Sequence, residues 1–132
     1  MRFRSESGSA VVEFVLLAVP LFLPLIVFVS QFSELSAIEI SSRTLVREAV
    51  RAYVSAIDES DARMRAGLVL DYAARRLGFS EMEISNMQIS YSCSAEPCFS
   101  AGTRVRATLR IMLPGENRRV QVSAQEFVSP WQ

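Results

Sequence analysis

Glu13 is the residue whose type and position point most directly to chemistry. It is the only charged residue in an otherwise apolar run from position 9 to position 30, and it lies five residues after Gly8. A carboxylate in hydrocarbon costs roughly 2 to 3 kcal/mol or more, so an acid in such a run usually has a partner. Cleavage between Gly8 and Ser9 would make Glu13 the fifth residue. The freed N-terminus of a neighbouring subunit could then neutralise its charge.

A simpler interpretation of Glu13 also stays open. The side chain lies four residues into the apolar run, where it could extend to the lipid headgroups or stay protonated. Gly8 alone indicates little, because glycine is common just before helices. The hypothesis of an assembly role therefore depends on the spacing between the glycine and the acid.

The two cysteines are the other residues of chemical interest. Cys93 and Cys98 enclose a polar, turn-prone segment, and in an exported chain they are most simply one disulfide. Two free thiols or half of a metal site are the alternatives, but without His or a further Cys one chain cannot complete a structural zinc site. A disulfide closing so short a loop contributes roughly 2 kcal/mol to stability.

The composition of the chain argues against an enzyme and against a nucleic-acid-binding protein. The chain has 132 residues and no His, which removes the usual general base and the commonest metal ligand. No nucleophile and base pair, metal cluster or pair of acids is recognisable, so a small secreted enzyme ranks lowest and no cofactor is expected. The 14 basic residues balance 14 acidic ones and form no block of like charge that could follow a nucleic-acid backbone.

The apolar run is long enough to cross a membrane. The twenty residues 10–29 would form a helix of about 30 Å, which matches the hydrocarbon core of a bilayer. Pro20 and Pro24 would each remove one hydrogen bond of that helix. Because membrane helices tolerate proline, we expect a kink at these positions and a continuing helix.

The distribution of arginines predicts the orientation in the membrane. Arg2 and Arg4 precede the span and the next basic residue is Arg43, so the N-terminus is expected in the cytoplasm and the rest of the chain outside. A cleaved signal peptide usually has a shorter apolar region, but a late cut between Ser36 and Ala37 would release a secreted product. That product stays a minor alternative.

Apolar residues recur at three- and four-residue steps beyond the span, without Gly or Pro before Gly67. The pattern predicts one helix from about residue 10 to residue 57, with a first half in lipid and an amphipathic second half. The predicted apolar stripe comprises Phe32, Leu35, Ile38, Leu45, Val46, Ala49, Val50, Ala52, Tyr53, Ala56 and Ile57. The opposite face carries Glu39, Arg43, Arg47 and Arg51, of which Glu39 and Arg43 are spaced to form an ion pair.

A second, shorter helix is expected after the segment 56–63. Ser60 or Asp61 is the predicted cap and Gly78 the predicted end. Its predicted apolar side comprises Met64, Leu68, Tyr72, Ala73 and Leu77, and its predicted solvated face comprises Arg63, Arg65, Arg75 and Arg76.

The period of the pattern then changes to two, which indicates strands. The first strand is expected to carry Ile84, Met87, Ile89 and Tyr91, with a slip or bulge near Asn86. The second alternates Val105, Ala107, Leu109, Ile111 and Leu113 with Arg104, Arg106, Thr108 and Arg110. After a turn at residues 114–117, the third alternates Val120, Val122 and Ala124 with Arg119, Gln121 and Ser123.

These elements predict an α+β fold in which a small three-stranded antiparallel sheet packs on the long helix. The apolar face of the sheet and the apolar stripe of the helix each need a cover, and each can supply it to the other. Phe127, Val128 and Trp131 are expected to close the edge of the core, with a contact patch as the alternative.

The stretch from residue 8 to residue 28, GSAVVEFVLLAVPLFLPLIVF, resembles the class III signal of type IV pilins. With the helix and β-rich region that follow it, the chain is most similar to the TadE-like minor pilins, or pseudopilins, of tight-adherence (Tad/Flp) systems. In that family a membrane aspartyl prepilin peptidase cuts after the glycine on the cytoplasmic side. The glutamate five positions later acts in processing or subunit docking.

The resemblance assigns roles to individual residues of this chain. It implies that Gly8 precedes the scissile bond, that Ser9 becomes the new N-terminus and that Glu13 is the docking acid. Phe14 would be the aromatic residue that often follows the acid. Arg4 would supply the arginine that members tend to carry shortly before the glycine.

The resemblance also implies three parts of the chain and their partners. Residues 1–8 would be a leader, residues 9–30 a transmembrane and assembly helix, and residues 31–132 an extracytoplasmic pilin-like domain. The expected partners are other pilin and minor pilin subunits, the prepilin peptidase, the inner-membrane assembly platform and the lipid bilayer. The main alternative is a single-pass anchor that is never cut and carries an extracytoplasmic binding module.

Overall fold

The computed structural model describes residues 7–115 and 117–131, and among these the side chains of residues 7–9 and 34–36 are not described. The elements in chain order are α1 (Ser7–Val54), α2 (Glu59–Arg76), α3 (Glu81–Ser85), β1 (Met87–Cys93), β2 (Arg104–Met112) and β3 (Arg119–Phe127). The predicted α+β class is confirmed, with its long first helix, second helix and three-stranded antiparallel sheet. The chain divides into two compact units, Met1–Ala37 and Ile38–Gln132.

The first helix ends three residues before the predicted position. It continues through Pro20 and Pro24 and stops at Val54. Asp58 has an extended backbone because it caps the next helix, so the chain must leave the helical conformation before it. Ile57, predicted in the apolar stripe, is consequently 85% exposed.

Asp58 is the cap of α2, and the prediction of Ser60 or Asp61 is wrong. The Asp58 carboxylate accepts hydrogen bonds from the backbone N–H of Asp61 at 2.9 Å and from the Ser60 hydroxyl at 2.7 Å. Both predicted caps are therefore donors to the real one, inside the first turn. The predicted end is confirmed, because Gly78 has a φ of 85° just after the last turn.

The apolar face predicted for α2 is also wrong. Met64, Leu68 and Tyr72 are exposed, and the buried residues are Ala62, Ala66, Leu70 and Ala74. Three of these four are alanines, whose small side chains let the helix backbone lie close to the core. The larger apolar residues were predicted to face the core, but close packing of α2 places the smaller alanines there.

The sheet is a meander in the order β1, β2, β3 with antiparallel neighbours, as predicted. The alternation expected for β2 and β3 is confirmed by their burial. Ile84, however, lies in α3 and not in the first strand. Ser80 and Glu83 start this short helix by capping each other's backbone N–H groups, at 3.3 and 2.7 Å.

The core lies within residues 38–132. Fully buried apolar residues come from the second part of α1, from α2 and from the inner face of β2: Leu45, Val46, Ala49, Val50, Tyr53, Ala62, Ala66, Ala74, Val105, Ala107, Leu109 and Ile111. The Tyr53 ring stacks on the Tyr91 ring of β1 with centroids 4.1 Å apart. Of the three residues predicted to close the core edge, only Val128 is buried, whereas Phe127 and Trp131 are exposed.

Candidate functional site

The first part of α1, residues 10–33, exposes nearly all of its apolar side chains, and we call it the apolar segment. Its sixteen large hydrophobic residues are each 47 to 74% exposed: Val11, Val12, Phe14, Val15, Leu16, Leu17, Val19, Leu21, Phe22, Leu23, Leu25, Ile26, Val27, Phe28, Val29 and Phe32. Leaving such side chains in water costs roughly 1.5 to 3 kcal/mol each relative to burying them. By length and composition this is one helix that could cross a membrane.

The predicted docking and cleavage residues lie at the start of this helix. Gly8 and Ser9 belong to its first turn, and Glu13 and Phe14 follow with exposed side chains. Ser9 and Glu13 are four residues apart in the helix, with a rise of about 6 Å between them. Cleavage after Gly8 would create the new amine on the main-chain nitrogen of Ser9, about one turn before Glu13. A neighbouring helix could contact both groups at once.

Both prolines of the apolar segment lie inside α1, as expected. Because proline has no N–H, Pro20 and Pro24 free the carbonyls of Leu16 and Pro20 from the usual helical hydrogen bonds. The predicted kink stays a prediction. Arg2 and Arg4, on which the predicted orientation depends, lie outside the described residues.

The cysteines form a disulfide, as the sequence analysis expected. Cys93 ends β1 and is bonded to Cys98, with the two Cα atoms 5.4 Å apart. Among the described residues no group of three or more His, Cys, Asp or Glu side chains is placed to hold a metal ion. The disulfide thus joins the end of β1 to the loop that follows it.

Three aromatic rings beside the disulfide form a cluster that the sequence analysis did not predict. Tyr53 of α1 stacks on Tyr91 of β1 and on Phe99 of the loop, with centroid distances of 4.1 and 5.6 Å. The cluster borders an open cavity of about 660 Å³, whose rim also carries Asp58, Glu59, Arg63 and Glu96. No sequence signal could have shown it, since the rings come from a helix, a strand and a loop.

The electrostatics of this cluster keep its phenols neutral. Burial raises the pKa of Tyr91 to about 12, with a smaller contribution from Tyr53. Burial also raises the pKa of Tyr53. The Tyr91 hydroxyl is buried and has no hydrogen-bond partner among the described residues. Neither phenol is activated as a base at neutral pH, so the cluster is best explained as packing between α1 and the sheet.

Hydrogen bonds hold the carboxylates at the start of α2 in the charged form. The backbone N–H of Asp61 and the Ser60 hydroxyl lower the pKa of Asp58. The Arg65 guanidinium lowers the pKa of Asp61, to which it donates at 2.8 Å. These acids stabilise α2, because negative charge is favourable near the N-terminus of a helix.

Comparison of the chain with protein-family models, with curated proteins and with solved structures finds no match. The features of the chain that bear most on function are the exposed apolar segment, the acid within it and the disulfide-linked unit that follows.

Proposed function

We propose that this chain is a TadE-like minor pilin or pseudopilin of a Tad/Flp-type adhesive pilus. The apolar segment would hold the subunit in the cytoplasmic membrane, with the N-terminus inside and the unit of residues 38–132 outside. Prepilin peptidase would then hydrolyse the bond between Gly8 and Ser9. The single observation that carries the proposal is an exposed apolar helix whose only charged residue, Glu13, lies five positions after a glycine.

The proposed mechanism is mechanical. Extracting the apolar segment into water would expose sixteen large apolar side chains, which is prohibitive at roughly 1.5 to 3 kcal/mol for each. Extraction is feasible only if the helices of neighbouring subunits cover the segment as it leaves the lipid. A filament core of packed helices supplies that cover.

Glu13 would set the register between subunits during this transfer. Cleavage leaves an ammonium group at Ser9, and a carboxylate on the adjacent helix is the matching charge. In an apolar environment a paired carboxylate and ammonium are tolerated, whereas breaking such a pair costs about 3 to 5 kcal/mol. Subunits whose charges do not meet would therefore fail to stay in the filament core.

The intact mass of the membrane-bound protein tests the cleavage step. Co-expression with prepilin peptidase should remove residues 1–8, and expression without the peptidase should leave the full chain. A Gly8→Val variant should resist cleavage, while Ala10→Val, two residues later, should be cut as in the wild type. If the wild-type chain stays uncut beside an active peptidase, the protein is instead an uncleaved membrane-anchored binding module.

A second experiment tests docking separately from cleavage. Glu13→Ala should still be inserted and should keep the fold of residues 38–132, but its incorporation into pili should fall at least tenfold. Glu39→Ala is the matched control, because it removes an exposed helical carboxylate that pairs with Arg43 at 2.7 Å. Incorporation of Glu13→Ala at the wild-type level would contradict the docking role.

A further inference from the structure

The outer face of the sheet carries four arginines and no acid among the described residues. Arg104, Arg106, Arg110 and Arg119 are exposed and occupy the outward positions of β2 and β3, and we call them the arginine face. Along β2, Arg104 and Arg106 are two residues apart, or about 7 Å. Arg119 pairs in register with Met112, next to Arg110 on the same face. A row of guanidinium groups thus follows the middle of the sheet.

Neutral hydrogen-bonding side chains fill the spaces between these arginines. The strand register places Gln88, Arg110 and Gln121 in one row, Ser90, Thr108 and Ser123 in the next, and Ser92, Arg106 and Gln125 in a third. Within the first row the Arg110 Nε donates to the Gln121 carbonyl at 3.0 Å. At the corner of the face, the Arg104 guanidinium lies 5.3 Å from the centre of the Phe127 ring.

Five of the helical arginines in the same unit have a different environment. Arg43, Arg51, Arg63, Arg65 and Arg75 each lie 2.7 to 3.7 Å from a carboxylate three or four residues earlier on the same helix. No residue of the arginine face forms an ion pair with any described residue. The positive charge of these four exposed side chains is therefore not neutralised by an ion pair within the described part of the chain.

We propose that the arginine face binds an acidic polysaccharide of the polyuronate type. Each sugar of such a polymer carries a carboxylate, which guanidinium binds in a bidentate manner, and hydroxyls, which Gln, Ser and Thr side chains can bind. A three-stranded surface that carries arginines and neutral polar side chains matches both kinds of group. The inference goes beyond the proposed pilus role and does not depend on cleavage after Gly8.

The composition of the face favours a polysaccharide over a single-stranded nucleic acid. Nucleic-acid platforms combine basic groups with several aromatic rings on which bases stack. Phe127 is the single aromatic residue among the described outward residues of the sheet, and Arg104 already lies over its ring. The neutral side chains that surround the arginines instead match the hydroxyls of a sugar chain.

Binding of polygalacturonate to the full-length chain in neutral-lipid nanodiscs tests the proposal. We expect saturable binding at low salt that weakens steadily as the salt concentration rises, because counterions are released from the polymer. Fully methyl-esterified polygalacturonate has the same sugars without the charge, and it should bind at least tenfold more weakly.

A matched pair of double variants locates the binding surface. Arg106→Gln with Arg110→Gln should weaken binding roughly tenfold or more, because each removes a charge-assisted contact. Arg65→Gln with Arg75→Gln removes the same charge from exposed sites on α2 and should change the affinity less than about twofold, because neither side chain lies on the sheet. All these side chains are exposed, so both variants should fold.

Four results would overturn the inference. They are no binding at low salt, equal binding of the esterified polymer, equal loss in the two double variants, and tighter binding of oligodeoxythymidylate than of polygalacturonate. The last would assign the face to a nucleic acid. Cleavage by prepilin peptidase is measured independently on the same samples, so a failure of the pilus proposal is distinguishable from a failure of this one.

Discussion

The two parts of α1 are both rich in apolar residues, and they differ in what covers them. Leu16, in the apolar segment, is 68% exposed, whereas Leu45, in the second part, is fully buried. Both residues lie in the same helix and have the same side chain. The second part is therefore packed within residues 38–132, whereas the apolar segment exposes its large side chains.

The polar residues explain why the two parts differ. The apolar segment is hydrophobic on all sides, which is typical of a helix surrounded by lipid or by other apolar helices. The second part has a polar face with Glu39, Arg43 and Arg47, so only one side needs cover. That side is buried within residues 38–132, together with the inner face of the sheet.

The largest difference in stability is expected when a leucine is replaced by alanine in each of the two parts of α1. Leu45→Ala should lower the free energy of unfolding of residues 38–132 by about 2 to 5 kcal/mol, because it leaves a cavity in the core. Leu16→Ala should change this value by less than about 0.5 kcal/mol, because the core does not contain Leu16. Urea denaturation of the full chain in mild detergent, followed by near-UV circular dichroism, measures both. Equal losses would contradict the separation.

The same comparison applies to the two sides of α2, where the sequence analysis chose the wrong face. Leu70 is 9% exposed and Leu68 is 67% exposed. Leu70→Ala should therefore lower stability by about 2 kcal/mol, and Leu68→Ala by less than about 0.5 kcal/mol. The urea midpoints of the two variants check this directly. A greater loss of stability for Leu68→Ala than for Leu70→Ala would show that the face predicted from the sequence is the buried one.

The disulfide is expected to stabilise only the unit of residues 38–132, in which it lies. Replacing both Cys93 and Cys98 with Ser should cost about 2 kcal/mol by the chain-entropy model for a short loop. The helical content of the apolar segment should not change. Dithiothreitol should lower the urea midpoint of the wild type to about that of the double variant, and it should leave the midpoint of the double variant unchanged. A midpoint equal to that of the wild type would show that the loop is held by packing alone.

The smallest effect at neutral pH is expected for Tyr91→Phe. The Tyr91 hydroxyl is buried without a described partner, so its removal should be neutral or slightly stabilising at pH 7. Because the folded pKa is raised from 10.0 to about 12, stability is complete below pH 10 and falls as the pH rises towards 12. The variant should lose less stability over that window in pH-dependent urea titrations. An identical alkaline profile would contradict the burial of the phenol.

Sequence patterns predicted the strands well, because each side chain of a strand points to one of only two faces of the sheet. β2 alternates arginines with Val105, Ala107, Leu109 and Ile111, and the latter are all fully buried. The patterns were less reliable for the helices. By residue type, Ser60 and Asp61 were both suitable caps for α2. Asp58 is the cap because its backbone is extended at the end of the segment that joins α1 to α2.

The sequence alone determined the apolar segment, the position of Glu13 within it and the alternation of the strands, since each depends on residues close together along the chain. The tertiary structure decided which side of α2 is buried, how Tyr53 meets Tyr91, and that the arginines of the sheet form no ion pair within the described residues. The physical reason is that burial and ion pairing depend on which surfaces meet. Residues far apart in sequence determine those surfaces, and local periodicity carries no information about them.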